Sequence, residues 1–460
     1  MKQKLKELHG RKFVRDALVL QAATFVQGGS YLITSVLTKR YLGMEQMGRW
    51  NTAREIFMFA YFLVSMGVVN AAVSRYSEAV GRKDRQASVN ALASMLKIGL
   101  VSSVLVITLG FLFGPAVAQH FYDDAEVGHW SALLCVAGLF EVVRGLTVVA
   151  LQGTRQMREF AWFDISTNML RLVLVFLALQ SGWGVCGVVW AFLVHMAMAG
   201  AVALHYYRRA RRGDPRLAPP PLREVFAAVP GSSVGQVFGL SYLLALNKSM
   251  NTLVPRFGML LIPALATLQD AGKAFHANAA YSIAYVLSWG LGLAMGGVTQ
   301  ALLPALGLRI ANTDTPFDQM GGLLKRVSLI AGSIMVGATL LSIPVMYVVI
   351  HAFYGAGAED SFTYYLCLTS GNLFIGFTCV VEAFYIYSGK LRQAVPFNFL
   401  LAALMLAGIV LGGHWFGPIG VAAAAGLGRA VGLFHLVYMA AYFRRARLRR
   451  PVPPGPTAVS

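Results

Sequence analysis

The chain has 460 residues, 57% of them hydrophobic and 13% charged, with a mean hydropathy of +0.61. A soluble globular chain carries about 25% charged residues, so this composition excludes an ordinary soluble domain and points to a polytopic membrane protein. The net charge of +19 would suit nucleic acid in a soluble chain. Here, however, Lys and Arg cluster between apolar runs, as topogenic charge facing the cytoplasm does, and no nucleic-acid partner is expected.

The basic N-terminus "MKQKLKELHGRKFVRD" leads into an apolar run from Ala17 to about Thr38. That run is too long for a signal-peptide core and has no small-residue cleavage site, so it reads as an uncleaved first helix. Runs close to the ~20 residues that cross a bilayer predict twelve spans, at 17–38, 55–75, 92–118, 130–151, 160–180, 184–206, 227–249, 275–303, 324–350, 362–387, 394–413 and 418–443. The stretch 250–274 is short and broken by Pro255 and Pro263. It reads as a kinked extension of the seventh span, a re-entrant piece or a thirteenth span.

The expected fold class is all-α: about twelve transmembrane helices in two six-helix bundles around a central cavity. The first bundle occupies 1–206 and the second 225–445. Between them runs a cytoplasmic basic, Pro-rich linker at 207–224, and a cytoplasmic tail follows at 446–460. Charge supports the count. With the N-terminus inside, alternate loops carry Arg82, Lys83 and Arg85, then Arg155 and Arg158, then "RRARRGDPRLAPPPLRE", and finally the tail "RRARLRR". The opposite loops carry "YDDAE" and "GAGAEDS". The exception is the connection 36–55, which is expected outside yet holds Lys39, Arg40, Arg49 and Arg54.

The four cysteines, Cys135, Cys186, Cys367 and Cys379, form no CxxC pair, so they read as apolar packing residues rather than a disulfide framework or metal site. No GxxxxGK[ST], HExxH or GxSxG is present, so no P-loop, no cofactor and no enzyme are expected.

Charges within spans are costly and usually pair or face a cavity. Glu141 and Arg144 are three apart on one helical face, and Asp164, Asn168 and Arg171 share another. Lys248 ends the seventh span, Glu382 lies in the tenth and Arg429 in the twelfth. Two polar stripes stand out. The first span presents Gln21, Thr24, Gly28, Tyr31, Ser35 and Thr38, and the eighth presents Asn278, Ser282, Tyr285, Trp289, Gly292, Gly296 and Thr299. Such stripes face protein or water rather than lipid. Together they indicate a shared cavity lined by Gln21, Tyr31, Arg49, Arg54, Arg144, Arg171, Lys248 and Arg256. Its excess of basic residues suits an anionic ligand such as a phosphate. Candidate ion-coupling groups are Glu55, Glu141, Asp164, Asp270 and Glu382, and the sequence does not choose among them.

The stretch "LTKRYLGMEQMGRWNTAREIFMFAYFLVSMGVVNAAVSRYSEAVGRKDRQ" resembles the start of the polysaccharide-type flippases of the multidrug/oligosaccharidyl-lipid/polysaccharide exporter superfamily, at Arg40, Leu42, Gly43, Gly48, Gly67, Arg75 and Tyr76. "NAAYSIAY" is similar to that family's eighth helix. The resemblance implies a bacterial inner-membrane transporter. It would move an undecaprenyl-pyrophosphate-linked oligosaccharide between leaflets by alternating access, driven by a cation. Membrane lipids, a polysaccharide polymerase and glycosyltransferases are its implied partners. On this reading Lys39 and Arg40 reach outer head groups while Arg49 and Arg54 line the mouth of the cavity; otherwise all four meet lipid phosphates. Two other functions compete: a cation-coupled drug antiporter, against which the first span lacks a carboxylate, and a membrane glycan polymerase or glycosyltransferase, which would have to use "YDDAE".

Overall fold

A computed structural model describes residues 2–65, 67–154, 156–212, 218–235, 237, 254–265, 270–313 and 320–448. The described residues are almost wholly helical, and the protein is an all-α polytopic membrane protein. Seven segments are each long and apolar enough to cross a membrane. The helices are α1 (Lys2–Ser65), α2 (Val68–Gly81), α3 (Arg85–Tyr122), α4 (Ala125–Cys135), α5 (Ala137–Gly153), α6 (Met157–Gln180), α7 (Gly184–Arg211) and α8 (Leu222–Ala228). They continue as α9 (Val254–Ala264), α10 (Ala271–Thr313), α11 (Gly321–Val349, prolonged by a π turn to Tyr354), α12 (Asp360–Ser370), α13 (Asn372–Thr378), α14 (Val381–Tyr387), α15 (Leu391–Leu427) and α16 (Leu433–Leu448).

Two corners fold long helices on themselves. Gly43 breaks α1 at φ 76°, and Gly417 breaks α15 at φ 62°. Both angles lie in the left-handed region that only glycine enters freely. Pro418 then starts the second helix, where its missing N–H is not needed. The expected loop at 36–55 is therefore corrected: these residues are helical except for the single-residue corner at Gly43. A one-residue corner forces the two arms together. At Gly417 this shows directly, because a Cβ on Gly420 would stand 1.9 Å from the Gly412 carbonyl oxygen. With lipid outside, apolar area gives helices little reason to associate, and close backbone packing through small residues takes that role. The two corners and the seven apolar segments are consistent with twelve crossings.

Other boundaries follow from capping. Asp84 accepts a bond from Ala87 N at 2.9 Å to start α3, and Asp124 accepts from Glu126 N at 3.0 Å to start α4. The expected tenth span is three short helices, α12 to α14, in series. Of the uncertain 250–274 stretch, α9 is helical but rises only about 16 Å, half of the ~30 Å hydrocarbon core. Residues 250–253 and 266–269 of that stretch lie outside the described residues.

Packing divides along the chain. One core joins α3 to α2, α5 and the linker, another joins α3, α4 and α7, and two more lie among the residues after 254. The end of the linker and the start of the expected seventh span, which is not helical over 229–234, are fastened to the first set: Arg85 pairs with Glu224 at 2.7 Å, Lys97 donates to Pro230 O at 2.9 Å and Ser94 to Ser233 O at 2.9 Å. The two sets meet near the Gly43 corner. There Met44 and Met47 enter the core of the second set, and Phe275 enters a core of the first. The approach is close enough that a Cβ on Gly48 would stand 1.9 Å from Phe275 O.

Gly420→Val is therefore expected to lower stability by about 1–3 kcal/mol, the usual penalty of overpacking. Gly408→Ala, whose new methyl would meet Ala424 Cβ at 3.8 Å, is expected to be neutral. Thermal unfolding of the two detergent-solubilised variants checks this; equal melting temperatures would contradict the packing assignment.

Candidate functional site

The charged residues of the first set converge where it meets the second. Glu55, 3% exposed, is held from both sides. Its Oε1 accepts from Arg54 at 2.9 Å on α1, and its Oε2 lies 3.4 Å from Arg256 on α9. A buried carboxylate is tolerable only when paired in this way. The Arg256 guanidinium lies 6.0 Å over the Tyr285 ring of α10. On α6, Arg171 stacks 3.7 Å over the Tyr31 ring and donates to Ser30 Oγ at 2.7 Å. Tyr31 in turn packs edge-to-face with Trp289 of α10, at 5.9 Å and 87°. Arg54 and Arg256 lie within electrostatic reach of Tyr31 as well as Arg171. On α5, Glu141 and Arg144 form a closed pair at 2.5 Å. Asp164 on α6 lies in the field of Arg144 and Arg171, yet makes no ion pair among the described residues.

Of the sequence candidates, the structure thus gathers Tyr31, Arg54, Glu55, Glu141, Arg144, Asp164, Arg171 and Arg256. Four arginines face three carboxylates, so the cluster keeps a net positive charge even when every acid is ionised. Arg429 lies nearby in the field of Tyr281 and Tyr285, and it donates to Asn372 Oδ1 at 2.8 Å rather than to a carboxylate.

Other candidates fall elsewhere. Arg49 is engaged by Glu45 at 3.1 Å and Asp124 at 3.5 Å, over the Phe275 ring. Asp270 accepts from Gly272 N at 2.8 Å and caps the start of α10. Gln21 sits ten residues before Tyr31, about 15 Å along the helix, away from the cluster. Lys248 and the side chain of Glu382 lie outside the described residues. The expectation that Lys39 and Arg40 reach lipid head groups is corrected. Lys39 Nζ donates to the carbonyls of Tyr354 and of Ala356, the latter at 2.8 Å, and Arg40 Nε donates to Phe353 O at 3.3 Å. These carbonyls end the long α11 helix, where exposed acceptors and the helix dipole favour a cation. Both residues therefore tie the Gly43 corner to the second set.

Sequence reasoning missed Ser30, which lies beside the polar stripe rather than on it. It also missed the role of Asn372 in holding Arg429. Joining Glu55 to Arg256 across 201 positions has no signal in local spacing.

A separate cavity of about 290 Å³ opens between α2, α3 and the residues Ser233 and Val237. Its Arg75 and Arg82 are both paired with Glu78, at 3.3 and 2.7 Å, so it offers little free positive charge.

The sequence profile of the family described as polysaccharide biosynthesis protein matches residues 13–307. The chain belongs to this family. Stage V sporulation protein B of Bacillus subtilis (strain 168) is 26% identical over 165 residues, 35% of this chain and 32% of that protein. A probable multidrug resistance protein NorM of Xanthomonas axonopodis pv. citri is 27% identical over 175 residues, 38% of this chain and 35% of that protein. These matches span about a third of each relative's length. Among solved structures, an inward-facing multidrug resistance MATE family transporter of the MOP superfamily superposes with a TM-score of 0.72 at 15% identity, covering 95% of this chain and 100% of the other. The lipid II flippase MurJ, in an inward closed conformation, gives 0.68 at 17% identity, covering 94% and 90%. At such identities the likeness is one of fold: this member of the polysaccharide biosynthesis family has the architecture of MOP-superfamily transporters.

Lys39→Met is expected to loosen the Gly43 corner. The readout is maleimide labelling of Met44→Cys, placed in a background free of native cysteines; Met44 is 7% exposed and packs near Gly357. Labelling should speed up several-fold in Lys39→Met, and an unchanged rate would show that the lysine does not hold this end shut.

Proposed function

We propose that the protein flips an undecaprenyl-pyrophosphate-linked oligosaccharide across a bacterial inner membrane by alternating access, with both termini cytoplasmic. The moving bodies are residues 1–206 and 225–445, joined by the 207–224 linker. A glycan polymerase and glycosyltransferases act on either side of the step. The observation that carries this reading is the arginine-rich cluster between the two bodies, with Glu55 shared by Arg54 and Arg256. Family membership and the flippase-like fold support it.

A pyrophosphate carries more charge than Glu55 and can take the same arginines in bidentate fashion. Its arrival exchanges a protein anion for a substrate anion on these arginines, and the displaced Glu55 is satisfied by water admitted with the head group. Loss of the head group on the far side restores Glu55 to both. The lipid tail needs no site, because it stays in the bilayer.

Among the candidates whose side chains the structure describes, ion coupling falls best to Asp164. Glu55 and Glu141 are neutralised by arginines, and Asp270 caps a helix. An ionised Asp164 competes with Ser30 for Arg171 and draws it away from α1. A protonated Asp164 leaves Arg171 on Ser30 and Tyr31.

A cation-coupled drug antiporter is the second reading, favoured by the similarity to NorM proteins. Against it stands the first span, which has no carboxylate between Ala17 and Thr38.

Proteoliposomes loaded with a fluorescent undecaprenyl-pyrophosphate-linked sugar separate the readings. The wild type should move the lipid between leaflets, while Arg54→Gln and Arg256→Gln should each slow it at least tenfold at equal incorporation. A wild type that transports only cationic dyes would favour the antiporter.

Asp164→Asn should still equilibrate the lipid downhill and lose its response to an imposed pH gradient. Retention of that response would remove Asp164 from the coupling role.

A further inference from the structure

We propose that Trp289, flanked by Tyr31 and Tyr285, is a stacking platform for the sugar that follows the pyrophosphate, so that the protein distinguishes a glycosylated lipid from the bare lipid pyrophosphate. The inference rests on the lipid-linked-glycan reading above.

Trp289 lies near the middle of α10, one turn after Tyr285 on the same face. A tryptophan there is too deep in the helix for an interfacial belt, which sits at the helix ends. It remains partly exposed while Leu287 and Ser288 beside it are buried. Tyr31 meets it at right angles, and a perpendicular neighbour leaves an indole face unstacked. Room is available one turn further on: a Cβ added at Gly292 would meet no described atom within 4 Å.

The chemistry selects a sugar over a phosphate. The face of an aromatic ring is electron-rich and repels an anion, so the face of Trp289 is no platform for the pyrophosphate. A pyranose presents C–H groups on its face and hydroxyls at its rim. Its face stacks on the indole, and its rim lies in reach of the polar groups around it. The cations are placed to match. Arg171 covers Tyr31 at 3.7 Å and Arg256 overlies Tyr285 at 6.0 Å. The aromatic surface is thus bracketed by the arginines assigned to the pyrophosphate, as the first sugar is covalently next to that group in the substrate. Tyr31 comes from α1 and Trp289 from α10, so a stacked sugar touches both bodies at once.

The test is equilibrium binding to the purified protein in nanodiscs. The two ligands are undecaprenyl pyrophosphate and undecaprenyl-pyrophosphoryl-N-acetylglucosamine. The wild type should prefer the glycosylated lipid about five- to tenfold, the range of one good aromatic contact. Trp289→Ala should erase that preference by weakening the glycosylated lipid, with under twofold effect on the bare lipid. Trp289→Phe should keep part of it, which guards against a folding defect. Arg256→Gln should weaken both lipids in parallel. A wild type without preference, or a Trp289→Ala variant that weakens both lipids equally, would overturn the proposal. If the wild type binds neither lipid, the transport reading falls and this inference with it.

Discussion

A charge inside a membrane has no water to fall back on, and the interior of this protein is arranged around that constraint. Each carboxylate of the central cluster except Asp164 is locked to an arginine, and the buried Glu55 to two. The arginines outnumber the acids. The remainder are accommodated by weaker means: an aromatic face and a hydroxyl for Arg171, a side-chain amide for Arg429. Soft partners leave a cation available. The result is an interior with a net positive bias, most of whose charges are paired or shared within the protein.

The glycines supply the other half of the design. Helices in lipid gain little from apolar contact, so they are held by backbone approach. The Gly412–Gly420 and Gly48–Phe275 contacts both rest on a missing Cβ. The first fixes a hairpin within one body, while the second brings the two bodies together. Asn278 reinforces that junction through a 2.8 Å bond to Thr52 Oγ1.

Much of the fold was legible in the sequence because hydropathy and charge act locally and additively. Apolar runs of bilayer length gave the helical class and a count of crossings with which the structure is consistent. The polar stripes on the first and eighth spans do come together at one point, where Tyr31 packs against Trp289. Local reasoning failed where one backbone angle decides the outcome. Residues 36–55 look like a loop by polarity, yet Gly43 alone turns the chain. It failed again where a residue's partner is remote. Lys39 and Arg40 look like lipid anchors until the end of α11 is placed beside them, more than 300 residues later. Asp270 has the same composition-level signature as Asp164, and only the start of α10 next to it reveals a cap.

The fastening of the Gly43 corner to the end of α11 uses main-chain carbonyls as its acceptors. Every residue type supplies the same carbonyl, so residues 353–356 can drift in evolution without weakening the contact, provided the turn keeps its shape. Correlated substitution would then be absent between Lys39 and its partners. A latch of this kind leaves its mark in a family's sequences on one side only, as a retained basic pair beside a retained glycine.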